Sequence, residues 1–326
     1  VNLLLTAEQQ ELRTAVRSFL AANARPRDGH DPAVYRRLNG ELGLAGLLVP
    51  EEYGGAGAGY AELAVALEET GAALLPGPYL ATVFATIALS LTPDKELLTQ
   101  IAEGRAVTLA EGPGLTGTYE QVLSGMEAEV LVTRVGDTFY AVELDGPGVS
   151  RTAQPALDVT RGYARIELDQ PPARELGAAP ESGVFDRMAI ALAAEQLGVM
   201  RASLDAIVAY AKIRAAFGRL IGSYQAVKHK LADMHGKLEQ AESIVRYAAW
   251  TADNEPGEVA RAGMFAQAFV GRACFEVARD HLLLHGGIGF TWEHDAHLYY
   301  KRAKADEVLL GPPRVYRARL AQLLEL

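Results

Sequence analysis

The chain has little cysteine, a deficit of basic charge and no long apolar run, and each shortage closes off a class of function. Among 326 residues there is one cysteine, Cys274, so no internal disulfide can form and the composition suits a reducing, cytoplasmic compartment. Cys274 lies inside a long helical pattern and reads as core. Lysine and arginine number 31 against 41 acidic residues, a formal charge of −10. A nucleic-acid surface needs clustered cations, so neither nucleic acid nor a basic membrane-binding helix is expected. No window approaches the ~18–20 consecutive apolar residues of a membrane span. The opening stretch carries Glu8, Glu11 and Arg13 and reads as neither signal nor transit peptide. Proline is confined too: between 181 and 311 only Pro256 occurs, which leaves that region free to form long helices.

What is present fits a soluble globular protein of two or three domains, with 49% hydrophobic and 22% charged residues. Three textures follow one another, giving an α+β fold. Residues 1–105 are helical, with Leu12, Val16, Phe19 and Leu20 at helical spacing behind an N-cap at Thr6. Thr6 and Gln9 have the spacing of a capping box. The turn-rich Pro50–Tyr60 stretch leads into another helix. Residues 106–178 turn to strands: AEVLVTRV and DTFYAVEL flank a Gly136–Asp137 turn as a hairpin, and YARIEL reads as a further strand. Residues 179–326 hold four long helical patterns, roughly 184–214, 223–253, 257–284 and 298–308, as in an antiparallel bundle.

Two segments of that last region carry chemistry. In RAAFGRLIGSYQ (Arg214–Gln225), the Arg214 fork can bind a pyrophosphate through paired, charge-assisted hydrogen bonds, and Phe217 can pack against an aromatic ring system. In HGGIGFTWEHDAHLYYKRAKADEVLLG (His285–Gly311), Gly286 and Gly287 let a backbone approach a phosphate or ring with no Cβ between.

Together these segments resemble signatures of the acyl-CoA dehydrogenase family, flavoproteins that introduce a Cα–Cβ double bond into acyl thioesters. The resemblance runs nearly end to end, through LGLAGLLVPEEYGGAGAGYAELAVALEETG and DKELLTQIAEGRAVTLAEG. It implies an N-terminal helical domain (1–105), a shortened middle β domain (106–178) and a C-terminal four-helix bundle (179–326). It also implies FAD at a subunit interface, with Arg214, Phe217, Gln225, His285, Gly286 and Gly287 lent to a neighbour's flavin. Leu283 stands where a glutamine is usual.

The residues that a member needs for its own site depart from the pattern. Leu310 occupies the place of the glutamate that removes the α-proton, and leucine cannot accept a proton. Pro312, Pro313 and Arg314 replace a Thr-x-Gln stretch that donates to the cofactor, and proline has no N–H. The alternative base position on the first bundle helix falls near Met188, and the CoA-contacting arginine falls near Ala189. Asp186 matches a substrate-positioning aspartate. The middle-domain stretch that lies against the isoalloxazine is missing.

The resemblance therefore points to the non-catalytic subunit of a heteromeric (α2β2) enzyme of lipid metabolism, like those of actinobacterial steroid degradation. A homologous catalytic subunit would hold the acyl-CoA, and an electron-transfer flavoprotein would take the electrons. Two other readings stand beside it: a self-sufficient homotetramer whose base has moved to Glu307 or Glu195, and a flavin-free assembly module on the same fold. Acids on exposed helix faces are the ordinary state for both glutamates. GAGAGY (Gly55–Tyr60) lacks Gly-x-Gly-x-x-Gly spacing and reads as a surface turn. His294 and His297, with Glu293 and Asp295, lack an evident third ligand group, so no metal is expected.

Overall fold

The computed structural model describes residues 3–180 and 183–325. Helices α1 (Ala7–Asn23), α2 (Pro32–Leu42), α3 (Tyr60–Ala72), α4 (Tyr79–Leu91) and α5 (Lys95–Ala102) come first. Strands β1 (Val107–Ala110), β2 (Thr116–Leu123), β3 (Val130–Val135), β4 (Thr138–Glu143), β5 (Val149–Gln154), β6 (Tyr163–Asp169) and β7 (Ala173–Ala178) follow. Then come α6 (Val184–Ile213), a two-stranded ribbon of β8 (Ala215–Ala216) and β9 (Arg219–Leu220), α7 (Gln225–Asn254), α8 (Val259–Leu284), α9 (Ala296–Leu309) and α10 (Pro313–Leu323). Contacts group these elements into two compact units: Thr14–Leu63 with Leu75–Met188, and Val1–Arg13 with Ala64–Leu74 and Ala189–Leu326.

In the first unit, one sheet orders its strands β1-β3-β4-β7 and another β2-β6-β5. Alternation along β3 explains how the layers stack. Val130 and Val132 join Leu89, Leu97, Ile101 and Phe139 in one buried cluster, while Leu131 joins Tyr119, Ile166 and Leu168 in another. A strand buried on both faces reads as a continuous apolar run, which is why β3 stands out in the sequence. Val135 pairs with Thr138 across Gly136–Asp137, the hairpin expected of that turn. Strand β2 is less visible because its register shifts between Tyr119 and Val122, breaking the alternation. The backbone amides of the GAGAGY loop are used locally: Ala56 N donates to Gly46 O and Gly57 N to Val49 O, each at 2.9 Å.

In the second unit, α1 opens with the expected capping box. Thr6 N donates to Gln9 Oε1 at 3.0 Å, and Gln9 N donates to Thr6 Oγ1 at 3.2 Å. Helix α10 extends the expected four-helix pattern, entered through Pro312 in an extended conformation and Pro313 in the first turn, where proline's fixed φ is already helical. α3 and α6 approach closely enough to need glycine: a Cβ at Gly198 would overlap the Glu68 carbonyl oxygen, and one at Gly71 the Glu195 carbonyl oxygen. Gly198→Ala is therefore expected to lower stability by about 1–3 kcal/mol, seen as a lower urea midpoint. An unchanged midpoint would mean that the crossing can widen freely.

Glu68, fully buried, lies at this crossing and takes Arg13 at 3.2 Å, Arg201 at 2.8 Å and Arg246. Glu242 accepts from Arg201 at 3.1 Å. Burial alone would push the Glu68 carboxyl up, but Arg246, Arg201 and Arg13 together outweigh it and hold it below its ordinary value.

Candidate functional site

Arg214 follows the last residue of α6, exposed, with its N–H donating to Tyr210 O at 2.9 Å and its carbonyl accepting from Ile221 N at 2.8 Å. The chain then reverses: Ala215 pairs with Leu220 and Ala216 with Arg219, leaving Phe217 and Gly218 as a two-residue turn. Both turn residues have positive φ, 50° and 81°. That conformation suits Asn-Gly or Gly-Gly and strains an aromatic residue by ~1–2 kcal/mol. Tyr224 braces the turn from behind, its hydroxyl donating to Ala216 O at 2.9 Å, with the Arg219 guanidinium 3.9 Å over its ring. Phe217 is nonetheless 98% exposed, so its own chain offers the strained ring no packing. Gln225 begins α7 on the same exposed stretch.

His285 closes α8 and is 5% exposed. Its Nδ1 lies 2.8 Å from His281 O; since a carbonyl only accepts, Nδ1 carries the proton. Gly286 follows with φ 66°, and no atom lies within 4 Å of where a Cβ would stand on Gly286 or Gly287. Gly287 has an ordinary φ as well, so nothing in its own chain calls for glycine there. Tyr210 ties the two segments together: its carbonyl takes the Arg214 N–H and its ring stacks on His285 with centroids 4.5 Å apart. Sequence reasoning missed Tyr210, which bears no motif signal; its place four residues before Arg214, one helical turn, was the only hint.

The Leu310 end is built differently. Leu310 caps α9, its carbonyl accepting from Tyr316 Oη at 2.6 Å, and its side chain packs against a cluster of Ala189, Met264 and Tyr316. Met188, the residue before Ala189, is buried as well. The two glutamates are not exposed, contrary to the ordinary expectation. Glu307 is 6% exposed, 2.6 Å from Lys304 Nζ and 3.5 Å from Arg272. Glu195 is 3% exposed, 3.1 Å from the buried Arg302. Low exposure without a partner would strand a charge, so each carboxylate is matched by a cation. Cys274 is fully buried, as its helical surroundings suggested, and burial pushes its thiol well up. His294 and His297 turn to different neighbours: His294 Nδ1 accepts from Ala296 N at 3.1 Å, while His297 packs edge-on to Trp292.

Comparison with known proteins decides the family. The family model described as acyl-CoA dehydrogenase, C-terminal domain, matches residues 178–324, and that described as acyl-CoA dehydrogenase, N-terminal domain, matches residues 6–93. The chain belongs to the acyl-CoA dehydrogenase family. Acyl-CoA dehydrogenase IpdE2 of Mycolicibacterium smegmatis is 36% identical over 97% of this chain and 98% of its own length. Two solved structures share the whole acyl-CoA dehydrogenase fold. A variant of the Tcur3481-Tcur3483 steroid ACAD is 28% identical, covering 98% of each chain with a TM-score of 0.88. The ChsE4-ChsE5 complex from Mycobacterium tuberculosis is 27% identical, covering 100% of this chain and 99% of that one with a TM-score of 0.86.

The order of N-terminal helices, middle strands and C-terminal helices is that of an acyl-CoA dehydrogenase, and family membership makes this an oxidoreductase fold that normally binds FAD. The chain's residues fit that cofactor unequally. Arg214, Phe217, Gln225, Gly286 and Gly287 are exposed, and the turn leaves room for close approach. Pro312 and Pro313 offer no N–H donor, and Leu310 is held by apolar neighbours. Among the described residues no group of histidine, cysteine and carboxylate is arranged to hold a metal, and no helix is long and apolar enough to cross a membrane.

Proposed function

We propose that this chain is the non-catalytic subunit of a heteromeric acyl-CoA dehydrogenase, completing the FAD site of a homologous partner that supplies the base and the acyl-CoA pocket. The observation that carries this reading is the packing of Leu310 with Ala189, Met264 and Tyr316. The place where a self-sufficient member keeps its proton acceptor packs here against an apolar cluster that includes the residue at the place of its CoA contact. A carboxylate base must reach the α-carbon, and an aliphatic side chain has no proton-accepting atom.

The opposite surface supports the complementary half. Arg214 holds the flavin's pyrophosphate with its planar fork, Phe217 packs against the ring system, Gln225 adds a polar contact, and the His285–Gly287 turn brings its backbone close. Strain at a fully exposed aromatic is tolerated where another molecule covers it. FAD, when bound, supplies the acceptor for the hydride that leaves the acyl chain. Names among the similar structures, a steroid ACAD and a ChsE4-ChsE5 complex, favour a bulky steroid side-chain thioester as substrate in a cytoplasmic α2β2 heterotetramer. The reduced flavin would then be reoxidised by an electron-transfer flavoprotein.

Expression of the chain alone, and together with a homologous acyl-CoA dehydrogenase subunit, separates the readings. A colourless, inactive chain that becomes yellow and active only with its partner is the expected result. Bound flavin with turnover by the chain alone sinks the proposal in favour of Glu307 or Glu195 as a relocated base. Flavin absent in every combination favours the assembly module. Leu310→Glu is expected to leave the chain alone without dye-reducing activity on any acyl-CoA, because the cofactor donors at Pro312 and Pro313 stay missing. Measurable turnover by that variant would mean that only the base had been lost.

A further inference from the structure

The imidazole of His285 is buried in a nest of aromatic rings drawn from α6, α8, α9 and the segment that leads into α9. From α6, Tyr210 stacks on it at 4.5 Å with planes 30° apart. From α8, His281 meets it edge-on at 4.7 Å and gives its carbonyl to His285 Nδ1 at 2.8 Å. From the segment leading into α9, His294 lies 4.3 Å away. Tyr299 of α9 closes the far side against His281 at 5.8 Å. The bond to His281 O shares its acceptor with the His285 backbone N–H, which reaches the same carbonyl at 3.3 Å. It locks the ring to the last turn of α8, and the next two residues are Gly286 and Gly287.

We propose that His285 is a positioning residue for the neighbour's flavin: packed against Tyr210, His281 and His294, its neutral ring fixes where the Gly286–Gly287 backbone stands, and acid releases that grip. This inference rests on the reading that the turn meets a partner's FAD. Two glycines in sequence have many accessible conformations, so a turn made of them needs an anchor at its edge to present its backbone in one geometry. Tyr210 extends the anchoring to the second segment, since the same residue receives the Arg214 N–H.

The nest has no place for a positive charge. His281 is 1% exposed, and neither of its ring nitrogens has a hydrogen-bond partner. Burial, then His285 and His294, push its pKa down to about 3. Burial also lowers His285, the bond to the His281 carbonyl opposes this, and His294 adds to the lowering. The charged groups nearby are occupied elsewhere. Asp280 takes Lys230 at 3.1 Å and Arg279 at 3.1 Å, while Asp295 and Arg302 act in opposite directions on Tyr299. For a histidine whose folded pKa is depressed, the native arrangement is favoured above the ordinary value of 6.5 and loses ground as pH falls below it.

The test uses the reconstituted heteromer and measures the FAD dissociation constant by flavin fluorescence between pH 8 and pH 5.5. In the wild type it should rise as pH falls from 6.5 to 5.5, by less than the roughly tenfold per pH unit that is the limit for one linked proton. His285→Ala should weaken binding at every pH. His285→Phe keeps a ring in the stack but cannot titrate, and should recover part of the lost affinity with a flat pH profile. An H285A complex with wild-type affinity, or an H285F complex that keeps the full acid response, overturns the proposal. Arg214→Ala separates this from the reading beneath it. If R214A weakens binding and H285A does not, only the positioning role fails; if neither does, the shared flavin site fails as well.

Discussion

Replacing Glu68 with alanine is expected to cost about 3–5 kcal/mol of stability, the range found when one partner of a buried ion pair is removed. Glu68 is fully buried and is the shared acceptor of Arg13, Arg201 and Arg246, so its loss strands guanidiniums rather than freeing them. The effect should depend on pH in a definite direction. The carboxyl is held below its ordinary value of 4.5, because burial, which pushes it up, is outweighed by Arg246, Arg201 and Arg13. A depressed carboxyl contributes stability that is complete above the ordinary value and is lost as pH falls through the lowered one. Urea midpoints of the wild type and E68A should therefore lie far apart at pH 7 and draw together toward pH 3. A gap that stays constant with pH would assign the effect to lost packing instead of charge.

Arg214→Ala in the intact heteromer is expected to raise the FAD dissociation constant about tenfold to a hundredfold, the size of a lost hydrogen bond between charged groups. Arg214 is exposed, and its hydrogen bonds to Tyr210 and Ile221 use only main-chain atoms. The variant should thus fold with an unchanged urea midpoint, which separates a binding loss from a folding loss. Arg214→Lys should recover only part of the affinity, since an ammonium cannot present two parallel donors. Unchanged flavin affinity in R214A would remove Arg214 from the site.

Features that depend on neighbouring residues in sequence were the legible ones. The Thr6–Gln9 box, the Gly136–Asp137 hairpin and the proline-poor helices each follow from local stereochemistry. The two glycine- and arginine-bearing segments were legible for another reason, because unusual residues recur there at fixed spacing. What stayed hidden is what the fold alone brings together. Glu195 meets Arg302 across 107 positions, so an acid that read as exposed is buried with a partner, and Glu68 meets Arg246 across 178. His281 and His285 lie one helical turn apart, yet Tyr210 and His294 join them only through tertiary packing. Strand β2 was masked by its register shift, and α10 was not expected behind the two prolines that serve as its start.

Under the proposed non-catalytic role, the packing of Leu310 against the cluster of Ala189, Met264 and Tyr316 acts as a ratchet on an evolutionary timescale. A carboxylate restored at position 310 would meet aliphatic and aromatic surface and would lack the paired donors that a charged group needs there. The first step back toward an independent enzyme would thus lower stability before it gained any turnover. Selection can cross such a step only if several substitutions arrive together. Under that same reading, dependence on a partner would persist even where the original advantage of dividing the labour had gone.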